Sequence, residues 1–155
     1  MSKSKEQPQQ QPIRQEKIEG TLTEKGVKIA NKRRIEELKA KGYGIKENGE
    51  LLLNFYEALH LLDKGLILVK NAEGGEIGFQ QLLQVAEKID ENAWGKYLVY
   101  RDLRSRGYVV REGFGMGVDF RVYERGEYGK DTAKYLILSL QEGRPIKMEE
   151  LTQIM

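Results

Sequence analysis

Apolar residues in the first half of the chain come in short runs that are separated by glycine-containing turns. Leu22 and Val27 flank Lys25-Gly26, a pattern that predicts a hairpin. A second hairpin is predicted over 44–53, where Asn48-Gly49 supplies the two residues that favour a tight turn between antiparallel strands. We therefore expect this half of the chain to build a small sheet.

Helical spacing of apolar residues follows each of these hairpins. Asn31 is predicted to cap a first helix that stops near Gly42, and Asn54 to cap a second helix that stops at Gly65. Asparagine suits the position before a helix because its side chain accepts a hydrogen bond from an unpaired backbone N–H group. A strand is predicted next, at Leu66 to Val69. The first lobe is thus predicted to alternate strands and helices.

In the second half of the chain, the pattern predicts helices first and strands afterwards. The helices are predicted at Phe79 to Ile89 and at Trp94 to Leu103. The strands are predicted at Tyr108 to Val110, Val118 to Tyr123 and Ala133 to Leu140, and a last helix begins at Met148. A small α/β lobe followed by helices and an antiparallel sheet gives the fold class α+β.

Local composition divides the chain into a tail and two lobes. Residues 1–17 are rich in glutamine and almost free of apolar side chains. Such a segment cannot bury enough surface to offset the entropy of ordering, so we predict a disordered tail. Asn71 to Gly75 is a polar, glycine-rich break. It is predicted to separate a first domain at 18–72 from a second domain at 76–155.

Overall composition and charge narrow the classes of function. The 155 residues include no cysteine, which excludes a disulfide scaffold, a thiolate nucleophile and a cysteine-based zinc site. No apolar run is long enough to cross a bilayer and no signal peptide is recognisable, so a cytoplasmic protein without a membrane partner is expected. Net charge is only +2, so a nucleic-acid partner would need local basic patches.

Three patterns that resemble known sites have simpler structural interpretations. His60, the only histidine, lies among leucines on a predicted helix and is interpreted as a structural or surface residue. The glycines between Gly113 and Gly117 precede a strand, which favours a hairpin over a phosphate-binding loop. Asp119 and Glu124 are an odd number of positions apart and would point to opposite faces of one strand. We therefore predict no metal site and no other cofactor.

Arginine is concentrated in one short stretch of the chain. The residues are Arg101, Arg104, Arg106 and Arg111. The planar arginine fork suits phosphate groups, and neighbouring tyrosines can stack on bases, so the stretch predicts an RNA-binding surface. A solvated helix face is an equally weighted alternative, because arginine is mostly exposed in any protein.

The order of motifs in both halves of the chain resembles one family. The run from Tyr97 to Val110, then Gly113, then Asp119 to Tyr123, strongly resembles the catalytic-domain signature of archaeal tRNA-splicing endonucleases. Lys41 to Gly44 and Glu57 to Leu59 are similar to the N-terminal domain of that family. The resemblance implies a tRNA-intron endonuclease fold, in which an N-terminal domain precedes a catalytic-like domain.

The resemblance also implies a substrate and a reaction. Members of the family cut precursor tRNA at a bulge-helix-bulge, without metal, and leave a 2′,3′-cyclic phosphate and a 5′-hydroxyl. A tyrosine helps to deprotonate the 2′-hydroxyl, a histidine protonates the leaving oxygen, and a lysine stabilises the charge on phosphorus. These roles combine general acid–base catalysis with electrostatic stabilisation.

The family's site residues carry over only in part. Tyr123 matches the tyrosine. Thr132 stands in the histidine slot, where a hydroxyl cannot act as an acid near neutral pH, so this position is predicted to be inactive. The lysine motif is expected beyond Met155, so the catalytic-like domain is expected to be truncated and C-terminally incomplete.

These departures lead to a prediction about assembly. We predict a non-catalytic subunit that is inactive alone and works on precursor tRNA with a homologous endonuclease subunit. Two alternatives stay open: a truncated or substituted catalytic subunit of the same enzyme, and an RNA-binding paralogue that is not an enzyme. Thr132 favours the first and the last of these three interpretations, whereas a chain end inside a predicted helix favours truncation.

Overall fold

The computed structural model of the chain describes residues 16–113, 118–124 and 135–138. A mixed six-stranded sheet opens the fold. Its strands are β1 (Ile18–Leu22), β2 (Val27–Ile29), β3 (Ile45–Glu47), β4 (Glu50–Leu53), β5 (Ile67–Lys70) and β6 (Glu76–Ile77). Their spatial order is β3-β4-β2-β1-β5-β6. β1 and β5 are parallel, and the other neighbouring strands are antiparallel.

Four helices in the described part of the chain contribute side chains to the core beside this sheet. They are α1 (Lys32–Ala40), α2 (Phe55–Asp63), α3 (Phe79–Ile89) and α4 (Ala93–Ser105). Alternate strand residues such as Val27, Ile29 and Leu51 are fully buried, as expected for a strand with one covered face. They share a core with Leu59 of α2 and Leu82 of α3. Burial of these apolar side chains is the main stabilising term of the fold.

Short-range signals place the elements of the first lobe, as predicted. The side chain of Asn31 accepts hydrogen bonds at the start of α1. Asn54 and Glu57 form a reciprocal capping box at the start of α2. Asn48 and Gly49 have φ values of 54° and 81°, the left-handed conformation that a two-residue hairpin turn requires at both positions. The predicted hairpins and helices of this lobe are confirmed.

A three-stranded antiparallel sheet follows the helices. Its strands are β7 (Val109–Glu112), β8 (Val118–Tyr123) and β9 (Tyr135–Leu138), in that spatial order. Val110 and Val122 lie opposite each other and pack with Tyr100 and Leu103 of α4 in a second core cluster. Alternate residues of these strands, Arg121 among them, lie on the other face of the sheet.

The combination of a mixed sheet, helices and a separate antiparallel sheet confirms the α+β class. The segment predicted as a domain boundary is the turn between β5 and β6. Oδ1 of Asn71 accepts hydrogen bonds from the N–H groups of Glu73 (3.0 Å) and Gly75 (2.8 Å). β6 belongs to the six-stranded sheet, and Leu82 of α3 packs in the core beside that sheet. The chain that follows the turn therefore still contributes to the first sheet and its core. The division into two domains stays a prediction.

Several sequence predictions fall outside the described residues. They are the disordered tail, the glycine loop at 114–117, part of the strand predicted from Ala133 to Leu140, and the helix that begins at Met148. In the described part of the chain, no helix is long and apolar enough to cross a membrane.

Candidate functional site

The guanidinium group of Arg111 lies inside the fold, against the loop that follows α1. Its Nη1 donates to the carbonyl oxygen of Gly42 (2.6 Å), and its Nη2 donates to that of Gly44 (2.7 Å). Nη1 also lies 3.2 Å from Oε2 of Glu57. Arg111 is 8% exposed. A cation this deeply buried needs such contacts in place of water.

Glu57 is the buried anion of this cluster. It is 2% exposed, and its Oε2 accepts the N–H of Gly44 (3.0 Å) while its Oε1 accepts that of Asn54 (2.9 Å). Burial raises the pKa of Glu57, and the charge of Arg111 and the two backbone hydrogen bonds oppose that rise. One carboxylate therefore caps α2, holds the loop after α1 and neutralises Arg111.

Arg104 also turns inward, from α4 onto the same loop. Its Cζ lies 3.9 Å from the centroid of the Tyr43 ring. Its Nη1 and Nη2 donate to the carbonyl oxygens of Lys41 (3.0 Å) and Gly42 (2.8 Å), and its Nε donates to Oη of Tyr100 (3.1 Å). Arg104 and Arg111 thus share one acceptor and join α4 and β7 to the first lobe.

Arg101 lies on the exposed side of α4, and Arg106 is the residue at its C-terminal cap. The Arg106 side chain is 65% exposed, and its Nε is 3.3 Å from Oδ2 of Asp102. Cζ of Arg101 is 5.9 Å from the centroid of the Tyr97 ring, at the outer margin of a cation–π contact. RNA contact stays a prediction for these two arginines. The contacts of Arg104 and Arg111 support a structural role instead.

Tyr123 ends strand β8 and is 7% exposed. Arg121 lies two residues earlier on the same face of the strand, and its Nη1 donates to Oη of Tyr123 (2.8 Å). Nε of Arg121 donates to the carbonyl oxygen of Glu112 on β7 (2.6 Å). The sequence analysis did not single out Arg121, although its two-residue spacing from Tyr123 on a predicted strand could have indicated the contact.

The register of the second sheet sets Tyr123 beside the buried cluster. Arg111 lies directly opposite Arg121, and Val109 lies opposite Tyr123. Residues that are opposite across two strands share a face, so Arg111 and Tyr123 are on the same side of the sheet. The structure thus brings Tyr123 near Arg111 on this face. Thr132, the other predicted catalytic position, lies outside the described residues.

His60 is a structural residue, as the sequence predicts. It is 5% exposed on α2. Its ring stacks on Tyr43 at a centroid distance of 6.4 Å and meets Tyr100 edge-on at 5.8 Å. Burial, reinforced by the charges of Lys64 and Arg104, lowers the pKa of His60 to about 4. The imidazole is therefore neutral at pH 7.

A second charged cluster ties α4 to β8. Nζ of Lys96 bonds to Oδ2 of Asp90 and lies 3.4 Å from Oδ1 of Asp119. Burial works against the charge on Lys96, but Asp90 and Asp119 together raise its pKa. No sequence signal connects these three residues. Within the described ranges, no group of three or more His, Asp and Glu side chains is placed to hold a metal ion.

Comparison with protein families gives two matches that together extend over most of the chain. Residues 18–83 match the tRNA intron endonuclease N-terminal domain, and residues 93–155 match the tRNA intron endonuclease catalytic C-terminal domain. The first match continues through β6 and the start of α3, and the second begins at the first residue of α4.

Individual relatives agree with these matches. The chain is 36% identical over 135 residues to a tRNA-splicing endonuclease of Methanococcus vannielii, which covers 87% of this chain and 76% of the relative. It is 36% identical over 112 residues to one of Pyrococcus furiosus, covering 72% of this chain and 64% of the relative. It is 43% identical over 94 residues to one of Hyperthermus butylicus, covering 61% and 51%.

Proposed function

Because the chain belongs to the tRNA-splicing endonuclease family, we propose that it is a precursor-tRNA-binding subunit that does not cut RNA alone. The proposed substrate is a bulge-helix-bulge, and the proposed setting is the cytoplasm. The assembled enzyme would leave a 2′,3′-cyclic phosphate and a 5′-hydroxyl. One observation carries the proposal: Tyr123 is held in a defined hydrogen bond, while no histidine of this chain is available beside it.

The histidine that this chain does contain does not suit the role of acid. His60 is the only one, and it is packed between the rings of Tyr43 and Tyr100. With a pKa lowered to about 4, it holds no extra proton to donate at neutral pH. Thr132, in the slot where the family has its histidine, lacks a pKa in the useful range. We therefore propose that a partner chain supplies the proton donor for the leaving oxygen.

A homologous subunit is the proposed source of that donor. Over the described residues, β9 lies at one edge of the second sheet. An edge strand offers unpaired backbone groups that another chain can pair with. We therefore expect the partner to contact this region while supplying a complete active site of its own.

The cleavage assay is direct. Purified chain is incubated with a bulge-helix-bulge RNA in EDTA, and we expect no cleavage above that of the RNA alone. Tyr123→Phe and the matched Tyr108→Phe should behave in the same way. Metal-free cleavage that Tyr123→Phe abolishes and Tyr108→Phe preserves would contradict the non-catalytic assignment.

A hydrodynamic experiment tests the partner. Sedimentation of the chain across micromolar concentrations, alone and with the full-length Methanococcus vannielii relative, should show association, and the mixture should melt at a higher temperature than the separate proteins. A monomer whose melting temperature does not change in the mixture would remove the partner from the proposal.

The hydrogen bond that holds Tyr123 supports a second candidate, a catalytic subunit in which Thr132 is a substitution. In that case Thr132→His should create metal-free cleavage in the presence of the partner, beyond what the partner gives by itself. The same variant without any added rate supports the non-catalytic subunit.

A further inference from the structure

We propose that Lys39 and Lys41 of the first lobe bind backbone phosphates of a paired RNA arm, on a surface that the first lobe and α4 build together. This inference rests on the proposed function, because it takes the chain to bind precursor tRNA. It extends the RNA-binding surface from the arginines in the second half of the chain to two lysines of the first lobe.

The C-terminal ends of α1 and α4 meet at this surface. Lys39 lies in the last turn of α1 and Lys41 is its C-terminal cap, and both residues are exposed. Arg104, in the last turn of α4, donates to the carbonyl oxygens of Lys41 (3.0 Å) and Gly42 (2.8 Å). Arg106 is the C-terminal cap of α4, and its side chain is 65% exposed. The two hydrogen bonds of Arg104 therefore hold exposed cations of both lobes in one region.

Within the described part of the chain, positive charge exceeds negative charge at this junction. The acidic residues of α1 and α4, and the buried Glu57, each pair with a separate cation: Glu36 with Lys46, Glu37 with Arg34, Asp102 with Arg106, and Glu57 with Arg111. Arg104 donates to two carbonyl groups and a phenol oxygen, which are uncharged and leave its positive charge in place. The charges of Lys39, Lys41 and Arg104 are thus a local surplus that matches the negative charge of an RNA backbone.

Buried rings at the junction favour phosphates over bases as the bound groups. Tyr43 and Tyr100, the two rings that Arg104 contacts, are 7% and 1% exposed. A buried ring cannot stack on a base of the RNA, whereas an exposed ammonium group can bind a phosphate. We therefore expect Lys39 and Lys41 to bind a paired RNA arm without reading its sequence.

Gly42 fixes where this surface lies on the second sheet. A Cβ atom at this position would lie 2.5 Å from Cγ1 of Val109, and the φ of Gly42 is 82°, so the close approach of the two lobes requires glycine. Val109 begins β7 and lies opposite Tyr123. The surface therefore adjoins the end of β8 at which the candidate site lies.

The salt dependence of RNA binding tests the two lysines. A bulge-helix-bulge RNA and a fully paired RNA of the same length are titrated with the chain by fluorescence anisotropy at several salt concentrations, in EDTA. Lys39→Gln and Lys41→Gln should each make the slope of log affinity against log salt shallower by about 0.7–0.9, and the double variant by about 1.4–1.8. The change should be equal for the two RNAs, because both present paired backbone phosphates.

Lys32 supplies the matched control. It is exposed and lies seven residues before Lys39, about two turns away on the same face of α1. Lys32→Gln should keep the slope of wild type. Lysine at a helix C-terminus is also favourable through the helix dipole. That role would change the melting temperature of the variants but not the number of counterions released on binding, so the slope separates the two roles.

Cross-linking gives an independent measure of position. The chain contains no cysteine, so Lys41→Cys and Lys32→Cys each carry a single thiol to which a photoreactive group can be attached. Irradiation should cross-link the Lys41→Cys protein to the fully paired RNA, and the Lys32→Cys protein far less. Equal cross-linking from the two positions would show that RNA has no preference for the junction, and would overturn the proposal.

The outcomes separate the role of the two lysines from the proposed function. A slope that stays at the wild-type value in the double variant, or that falls as much in Lys32→Gln, overturns the role of Lys39 and Lys41 and leaves RNA binding intact. If the double variant weakens only the association with the Methanococcus vannielii relative, the lysines bind an acidic protein surface instead of RNA, which also overturns it. A lysine-dependent slope without any preference for the bulge-helix-bulge supports the role of the lysines and contradicts the proposed function. Wild type that binds neither RNA contradicts both.

Discussion

Two pairs of arginines that lie within one short stretch of sequence have opposite surroundings. Arg104 and Arg111 point into the junction between the first lobe and the second sheet, where carbonyl groups, a carboxylate and a tyrosine ring surround them. Arg101, on α4, and Arg106, at its C-terminal cap, are exposed. A buried cation is paired with carbonyl groups or a carboxylate inside the protein, so a substitution that removes it lowers the free energy of unfolding. An exposed cation contributes little to stability and is able to meet an external anion.

The largest effect expected from this contrast is at Glu57. Glu57→Ala leaves the charge of Arg111 buried without its carboxylate, and it also removes the cap of α2 and the acceptor for Gly44. Breaking a buried pair from one side costs about 3–5 kcal/mol of unfolding free energy. Urea denaturation measures it. The exposed Glu37, which pairs with Arg34, is the matched control, and Glu37→Ala should change stability by less than about 0.5 kcal/mol.

If Glu57→Ala lowers the free energy of unfolding as little as Glu37→Ala does, Glu57 and Arg111 do not form a buried charge network. The double variant Glu57→Leu with Arg111→Leu sharpens the comparison. It removes both charges, so it should be less destabilised than Glu57→Ala.

The next largest effect is expected in the pH dependence of stability, and it comes from His60. The pKa of His60 is lowered to about 4, against an ordinary value near 6.5, so the unfolded chain binds a proton in this range before the folded chain does. The stabilising contribution is therefore complete above pH 6.5 and is lost as pH falls toward 4, by about 3 kcal/mol in total. Urea denaturation at pH 7 and pH 4.5 should show a smaller loss for His60→Gln than for wild type. Equal losses in the two proteins would show that His60 is not buried as a neutral ring.

Local signals explain why much of the first lobe could be predicted from sequence. Asn31 and Asn54 act on backbone N–H groups within their own helix turn, and Asn48-Gly49 sets its own backbone conformation. None of these effects needs a distant partner. The glycine-rich segment Asn71 to Gly75 forms the turn between β5 and β6, and its composition suits a hairpin turn as well as a linker.

The candidate site depends on distant partners, which a single sequence does not reveal. Arg111 is buried because Glu57 and the loop at Gly42 come to it from the other lobe. Helical spacing places Arg101 and Arg104 near each other but does not say which of them faces the core. The contact between Arg121 and Tyr123 is the exception, since two residues on one strand face share a side.

A smaller loss of stability is expected at Arg104, which is less buried than Arg111. Arg104→Ala removes the hydrogen bonds to Lys41 and Gly42 and the stacking on Tyr43, and should lower the unfolding free energy by about 1–2 kcal/mol. Arg104→Lys should recover little, because an ammonium group cannot reproduce the planar fork. If Arg104→Ala instead leaves stability unchanged and weakens RNA binding, Arg104 belongs with the outward pair.

The smallest effect on stability is expected for the outward pair, and these residues are the ones that should respond to RNA. Arg101→Ala and Arg106→Ala each remove an exposed side chain with one weak contact, so unfolding should change by less than about 0.5 kcal/mol. If each of these arginines binds a phosphate of the RNA, binding releases the counterion that had neutralised that phosphate. A variant without the arginine no longer releases that counterion. The slope of log affinity against log salt for a bulge-helix-bulge RNA should then become shallower by about 0.7–0.9 per variant. Arg33→Ala, on the exposed side of α1, is the control and should leave the slope as it is. Unchanged slopes in both α4 variants would identify Arg101 and Arg106 as parts of a solvated helix face, and the contrast between the two pairs would then concern burial alone.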